Sequence, residues 1–103
     1  MEDLTRSQLY SLYNKIAYGY ILKNYSNNFL NRVKERIKVV FVEPLKGVVH
    51  INCASTGNEF KLNIDLKKKS IEHRGCYSKN KGYDSKTLID ENVNSLLTHS
   101  RKG

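Results

Sequence analysis

Cysteine is scarce in this chain: two occur in 103 residues, too few for the disulfide framework that staples small secreted domains. Long apolar runs are missing as well. The longest, Val39-Val40-Phe41-Val42, has the length of a strand, whereas a bilayer-spanning helix needs roughly 18 to 20 residues. The opening MEDLTRSQLY lacks the apolar segment of a secretory signal. These absences exclude a helical membrane protein and a disulfide-stapled secreted domain, and the expected location is cytoplasmic. None of the recurrent hydrolase or transferase motifs is present, so no catalytic residue, turnover or cofactor is expected. No internal repeat or long linker divides the chain, and residues 1–103 are expected to form a single domain.

What the chain does have is positive charge and enough apolar content for one core. Hydrophobic residues make up 39% of it, and 18 Lys and Arg against 10 Asp and Glu give a formal net charge of +8. Such an excess favours polyanionic partners through counterion release.

Periodicity predicts the elements. Leu9, Leu12, Tyr13, Ile16, Ala17 and Tyr20 recur at the spacing of one helical face. Thr5 followed by Gln8 has the form of a capping box, and Gly19 is placed to end the helix. A second helix starts at Ser26-Asn27-Asn28, with Phe29, Leu30, Val33 and Ile37 apolar and the two helices packed as a pair. After Arg36 the period falls to two. The run 37-IKVVFV-42 reads as a strand stopped by Glu43-Pro44; 47-GVVHINCAS-55 and 59-EFKLNIDL-66 form a hairpin with one wet face; and 70-SIEHR-74 adds a short fourth strand,. The stretch 75-GCYSKNKGYDSK-86 has no period and reads as a loop. A last helix is expected from about Lys86 to Thr98, with Leu88, Ile89, Val93, Leu96 and Leu97 inward, Asp90 and Glu91 in its early turns, and a frayed tail after it,. The expected fold class is therefore α+β: an N-terminal helical pair, a three- to four-stranded antiparallel sheet, and a C-terminal helix packed on the sheet.

Two short stretches, 50-HINC-53 and 73-HRGC-76, hold both cysteines and two of the three histidines. A Cys2His2 zinc site would take His50, Cys53, His73 and Cys76 as ligands. Gly75 permits the turn that HRGC would need. In a regular strand, however, His50 and Cys53 point to opposite faces. The preferred reading is metal-free, with Cys53 a small buried hydrophobe and His50 a cross-strand surface residue. A Cys53 to Cys76 disulfide is the remaining alternative, disfavoured in a reducing compartment.

The order of helix, strand, hairpin, Cys-bearing turn and terminal helix, with 55-STGNEFKLNIDL-66 and His73 to Cys76, resembles the small SWIM-type zinc-binding proteins. That family holds zinc with a Cys-x-Cys pair and a Cys-x-His pair and is associated with DNA binding or protein interaction. Here neither pair is intact, and Gly82-Tyr83-Asp84-Ser85 occupies the place of the second. The resemblance implies a relative that has lost its metal.

Basic residues gather between Lys61 and Lys86: Lys61, Lys67, Lys68, Lys69, Arg74, Lys79, Lys81 and Lys86, with Tyr77 and Tyr83 flanking the loop lysines. Lysines neutralise phosphates and exposed aromatics stack on unpaired bases. These ten residues are the expected nucleic-acid contacts, to DNA or RNA, made mostly to phosphate and with little sequence specificity. A second basic group, Arg32, Lys34, Arg36 and Lys38, is placed on helix two, but its residues point in several directions and no third helix lies near, so a helix-turn-helix module is not expected. The rival expectation is a protein-interaction or inhibitory module, docking on a partner protein or forming a homodimer through Tyr10 and Tyr18 of the first helix. No membrane partner is expected.

Overall fold

Helix α1 (Arg6–Asn24) begins where the capping box puts it. The Thr5 hydroxyl accepts from the Gln8 backbone N–H at 3.1 Å, and Gln8 Oε1 accepts from the Thr5 N–H at 2.9 Å, so two of the orphan donors of the first turn are satisfied. The computed structural model describes residues 4–53, 57–75 and 85–102, with side chains through 96 in the last of these segments. Gly19 does not end α1, which continues to Asn24. Its role is close packing instead: a Cβ at Gly19 would lie 2.6 Å from Leu88 Cδ1, on the last helix.

Helix α2 (Asn27–Val33) takes Ser26 as its cap, whose Oγ accepts from the Phe29 N–H at 3.0 Å. A 3-10 turn over Lys34–Arg36 then tightens the chain, and Ile37 belongs to the first strand, not to the helix. Lys38 follows it into that strand, so the basic group from Arg32 to Lys38 is not one helical face.

The strands β1 (Ile37–Val42), β2 (Lys46–Cys53), β3 (Asn58–Asp65) and β4 (Ser70–Gly75) form an antiparallel meander in the order β1-β2-β3-β4. One face is apolar, with Ile37, Ile51 and Phe60 in one cross-strand row and Val39, Val49, Leu62 and His73 in the next. A bulge lies between Val39 and Phe41 in β1, which adds Val40 to one strand of the pair and locally raises its twist.

Helix α3 (Ser85–Lys102) packs on α1 and β4, and α1 itself lies on β1 and β2. The helix extends through the predicted frayed tail and starts early enough that Asp90 lies beyond its first turn; Asp90 pairs with Lys69 Nζ at 2.9 Å. Buried apolar side chains from α1, α2, α3 and the inner sheet face form one cluster, including Tyr13, Ile16, Ile21, Leu62 and Ile89. The architecture is α+β, with helices on one side of the sheet. No helix among the described residues is long and apolar enough to cross a membrane.

Candidate nucleic-acid interface

The strand alternation that buries one sheet face presents polar side chains on the other. Register makes this a pattern. Lys38 pairs with His50, His50 with Lys61, and Lys61 with Arg74, so all four strands contribute a basic residue to one line across the open face. Neighbouring strands lie about 4.8 Å apart, which makes this row roughly 14 Å long.

The members differ in how far their charge is engaged. His50 Nε2 meets the Glu59 carboxylate. Arg74 Nε donates to Glu72 Oε1 at 2.6 Å, and Asn63 Nδ2 donates to the same oxygen at 3.2 Å. The Arg74 bond holds the Glu72 carboxyl below its usual range, and Glu72 in turn raises the Arg74 guanidinium. No ion pair among the described residues engages Lys38 or Lys61, and both are exposed. They carry the uncompensated charge of the row.

Beside it runs a second row: Phe41, Val48, Asn63 and Glu72. Beyond that, Lys46 pairs with Asp65 and Asp65 with Ser70. These two rows enclose a depression of about 370 Å³ on the open face, lined among others by Phe41, Lys46, Val48, Asn63, Asp65 and Lys68. Phe41 is 46% exposed.

Asp65 also shapes the β3 to β4 turn. Its Oδ1 accepts from the backbone N–H of Lys67 at 2.9 Å and of Lys68 at 3.0 Å. Those bonds, with the nearby ammonium groups of Lys46 and Lys68, hold its carboxyl below the usual aspartate range. Lys69 adopts a positive φ of 56° in this turn, and its ammonium pairs with Asp90.

The predicted cationic cluster is thus divided. Lys61 and Arg74 lie on the open sheet face, Lys67 and Lys68 are exposed on the adjoining turn, Lys69 is tied to α3, and Lys86 is exposed on α3 itself. Tyr77, Lys79, Lys81, Tyr83 and Cys76 lie outside the described residues. Lys38, Phe41 and Lys46 were not among the predicted contacts. For Lys38 and Lys46 the signal was the period-two alternation of β1 and β2, which puts them on the wet side, whereas Phe41 reaches that side only through the bulge between Val39 and Phe41.

The zinc candidates that are described lie on opposite sides of the sheet. His50 is on the outer face with Glu59, whereas Cys53 is buried and His73 faces the core. The His73 ring stacks on Phe60 with centroids 4.4 Å apart, and its Nδ1 lies 2.9 Å from the Tyr20 hydroxyl. A β-sheet intervenes between the two histidines, so they cannot ligate one ion. No group of three or more His, Cys, Asp or Glu able to hold a metal is found among the described residues. Gly75 has the expected positive φ, 112°, but it is required by close approach to the Glu59 carbonyl oxygen, 2.8 Å from a Cβ there.

Of the two helix tyrosines predicted to face outward, Tyr10 is exposed, and Tyr18 is partly buried against the core. Comparison with protein-family models, curated proteins and solved structures finds no match to this chain.

Proposed function

We propose that the protein binds nucleic acid through the open face of its sheet, with Lys38, Lys61 and the turn lysines Lys67 and Lys68 neutralising phosphates, and with the His50 ring and Arg74 in the same row. The observation that carries this reading is the register of four basic residues, one from each strand, on a face that no helix covers among the described residues. The formal charge of +8 supports it by raising the local concentration of any polyanion. Contacts of this kind position a backbone and carry little sequence information.

Salt dependence tests it. Four phosphate contacts at about 0.7 counterions each give a log K against log salt slope of about −3 for single strands, a loss of about fiftyfold between 50 and 200 mM salt. The Lys38→Ala, Lys61→Ala double variant is expected to bind more weakly and to flatten that slope by about 1.5. An unchanged slope in the double variant, or no binding at low salt, overturns the proposal.

A second reading, a protein-interaction module, is favoured by the edge strand β1, where Val40 is 54% exposed, and by Leu45, 43% exposed in the turn that follows it. An unpaired, apolar sheet edge is a template for strand addition. Association of that type is far less sensitive to salt than phosphate binding.

A further inference from the structure

We infer that the nucleic acid taken by the open face is single-stranded, with one unpaired base seated in the depression against Phe41 and Val48; this rests on the polyanion reading above. The chemistry of the depression differs from that of the row beside it. Its two carboxylates are each engaged: Glu72 by Arg74 and Asn63, and Asp65 by the N–H groups of Lys67 and Lys68. Carboxylates repel phosphate, which leaves the depression suited to a neutral, flat, partly apolar group. A nucleobase is such a group, and the chain that carries it is a polyanion that the flanking cations attract.

The layout matches. Val48 lies two residues along β2 from His50, about 7 Å at the rise of a strand, and Phe41, three residues past Lys38 across the bulge, is its cross-strand partner. Lys46 and Lys68 lie on the other side of the depression. A strand whose phosphates follow Lys38 and Lys61 therefore brings its bases over the Phe41 ring, which is nearly half exposed. Stacking on an aromatic side chain tolerates every base, because each has a π-face. The volume of about 370 Å³ falls in the range of small-ligand pockets.

A duplex fits poorly for two reasons. Its bases are already stacked and cannot reach the ring. Its major groove, about 12 Å wide, admits a helix or a two-stranded ribbon, whereas the four strands here span roughly 14 Å before side chains are added.

The test is a fluorescence-anisotropy titration of the full chain with a labelled single-stranded oligonucleotide and with the duplex of the same length, at two salt concentrations. Wild type is expected to bind the single strand at least about tenfold more tightly than the duplex. Phe41→Ala should lose about tenfold for the single strand and leave duplex binding and the salt slope unchanged, whereas Phe41→Tyr, which keeps a stacking ring, should retain affinity. Circular dichroism of both variants controls for folding. Equal affinity for the two forms, or indifference to Phe41→Ala with the steep salt slope intact, overturns the single-strand inference and leaves the phosphate reading standing. Absence of binding to either form at low salt removes both.

Discussion

Gly47 lies directly beneath a tyrosine ring. A Cβ there would come within 2.6 to 2.8 Å of Tyr13 Cδ1, Cε1 and Cγ, and Tyr13 is itself fully buried, with its hydroxyl donating to the Glu43 carbonyl at 3.2 Å. The ring covers the bare backbone of β2, and neither partner can retreat without losing its packing. Gly47→Ala is expected to destabilise by about 1 to 3 kcal/mol, read as a lower denaturant midpoint with an unchanged slope; a neutral result would refute the contact. His73 offers a similar lesson. Its spacing from Cys76 suggested a ligand, yet in the fold its ring is an aromatic core neighbour of Phe60 and Tyr20. Nothing local distinguishes these roles, because the strand that buries His73 does so only when Leu62 lies opposite it.

At the level of elements, the β3 to β4 turn is held by one carboxylate. Asp65 accepts two backbone N–H bonds while ionised, and its folded pKa is lowered below the ordinary 3.8. A depressed acid contributes stability that is present above its unfolded value and is lost as pH falls through its folded value. Asp65→Ala is therefore expected to lower the thermal midpoint at pH 7, and the gap to wild type should be smaller in acid, below the ordinary 3.8,. A gap of the same size at both pH values would show that the bonds do not depend on the charge. The helices were more legible than this turn. The Thr5 and Ser26 caps are set by residues three positions apart, a local arrangement that survives any tertiary context. Gly19 misled for the complementary reason: glycine marks helix ends by its backbone freedom, but here it serves the approach of α3.

For the molecule as a whole, packing the helices on one sheet face buries phenols along with aliphatic side chains. Burial raises the pKa of Tyr20, and burial together with the Asp65 and Glu43 charges raises that of Tyr13. Because the folded values lie above the ordinary 10, the stability they contribute is complete below that pH and is lost as the solution becomes more alkaline. Phenolate absorbance is expected to show a late phase for these two of the seven tyrosines, coincident with loss of secondary structure by circular dichroism. Ionisation of Tyr13 and Tyr20 near pH 10 in a still-folded chain would contradict their burial. Among the described residues the same one-sided packing leaves the opposite face of the sheet open, and on it the row from Lys38 to Arg74 is assembled.

The sequence by itself determined the element types, the core stripe of α1 and the alternation of β2 and β3, because hydrophobic period and capping chemistry act over a few residues. It also determined the positive charge. Tertiary structure decided which charges meet. Lys38, His50, Lys61 and Arg74 are separated by up to 36 positions in the chain, and only strand register places them in one line. It likewise sent Lys69 to Asp90 and His50 away from His73. Cross-strand neighbours are set by turn lengths and a single bulge, and a shift of one residue would turn each of these side chains to the other face.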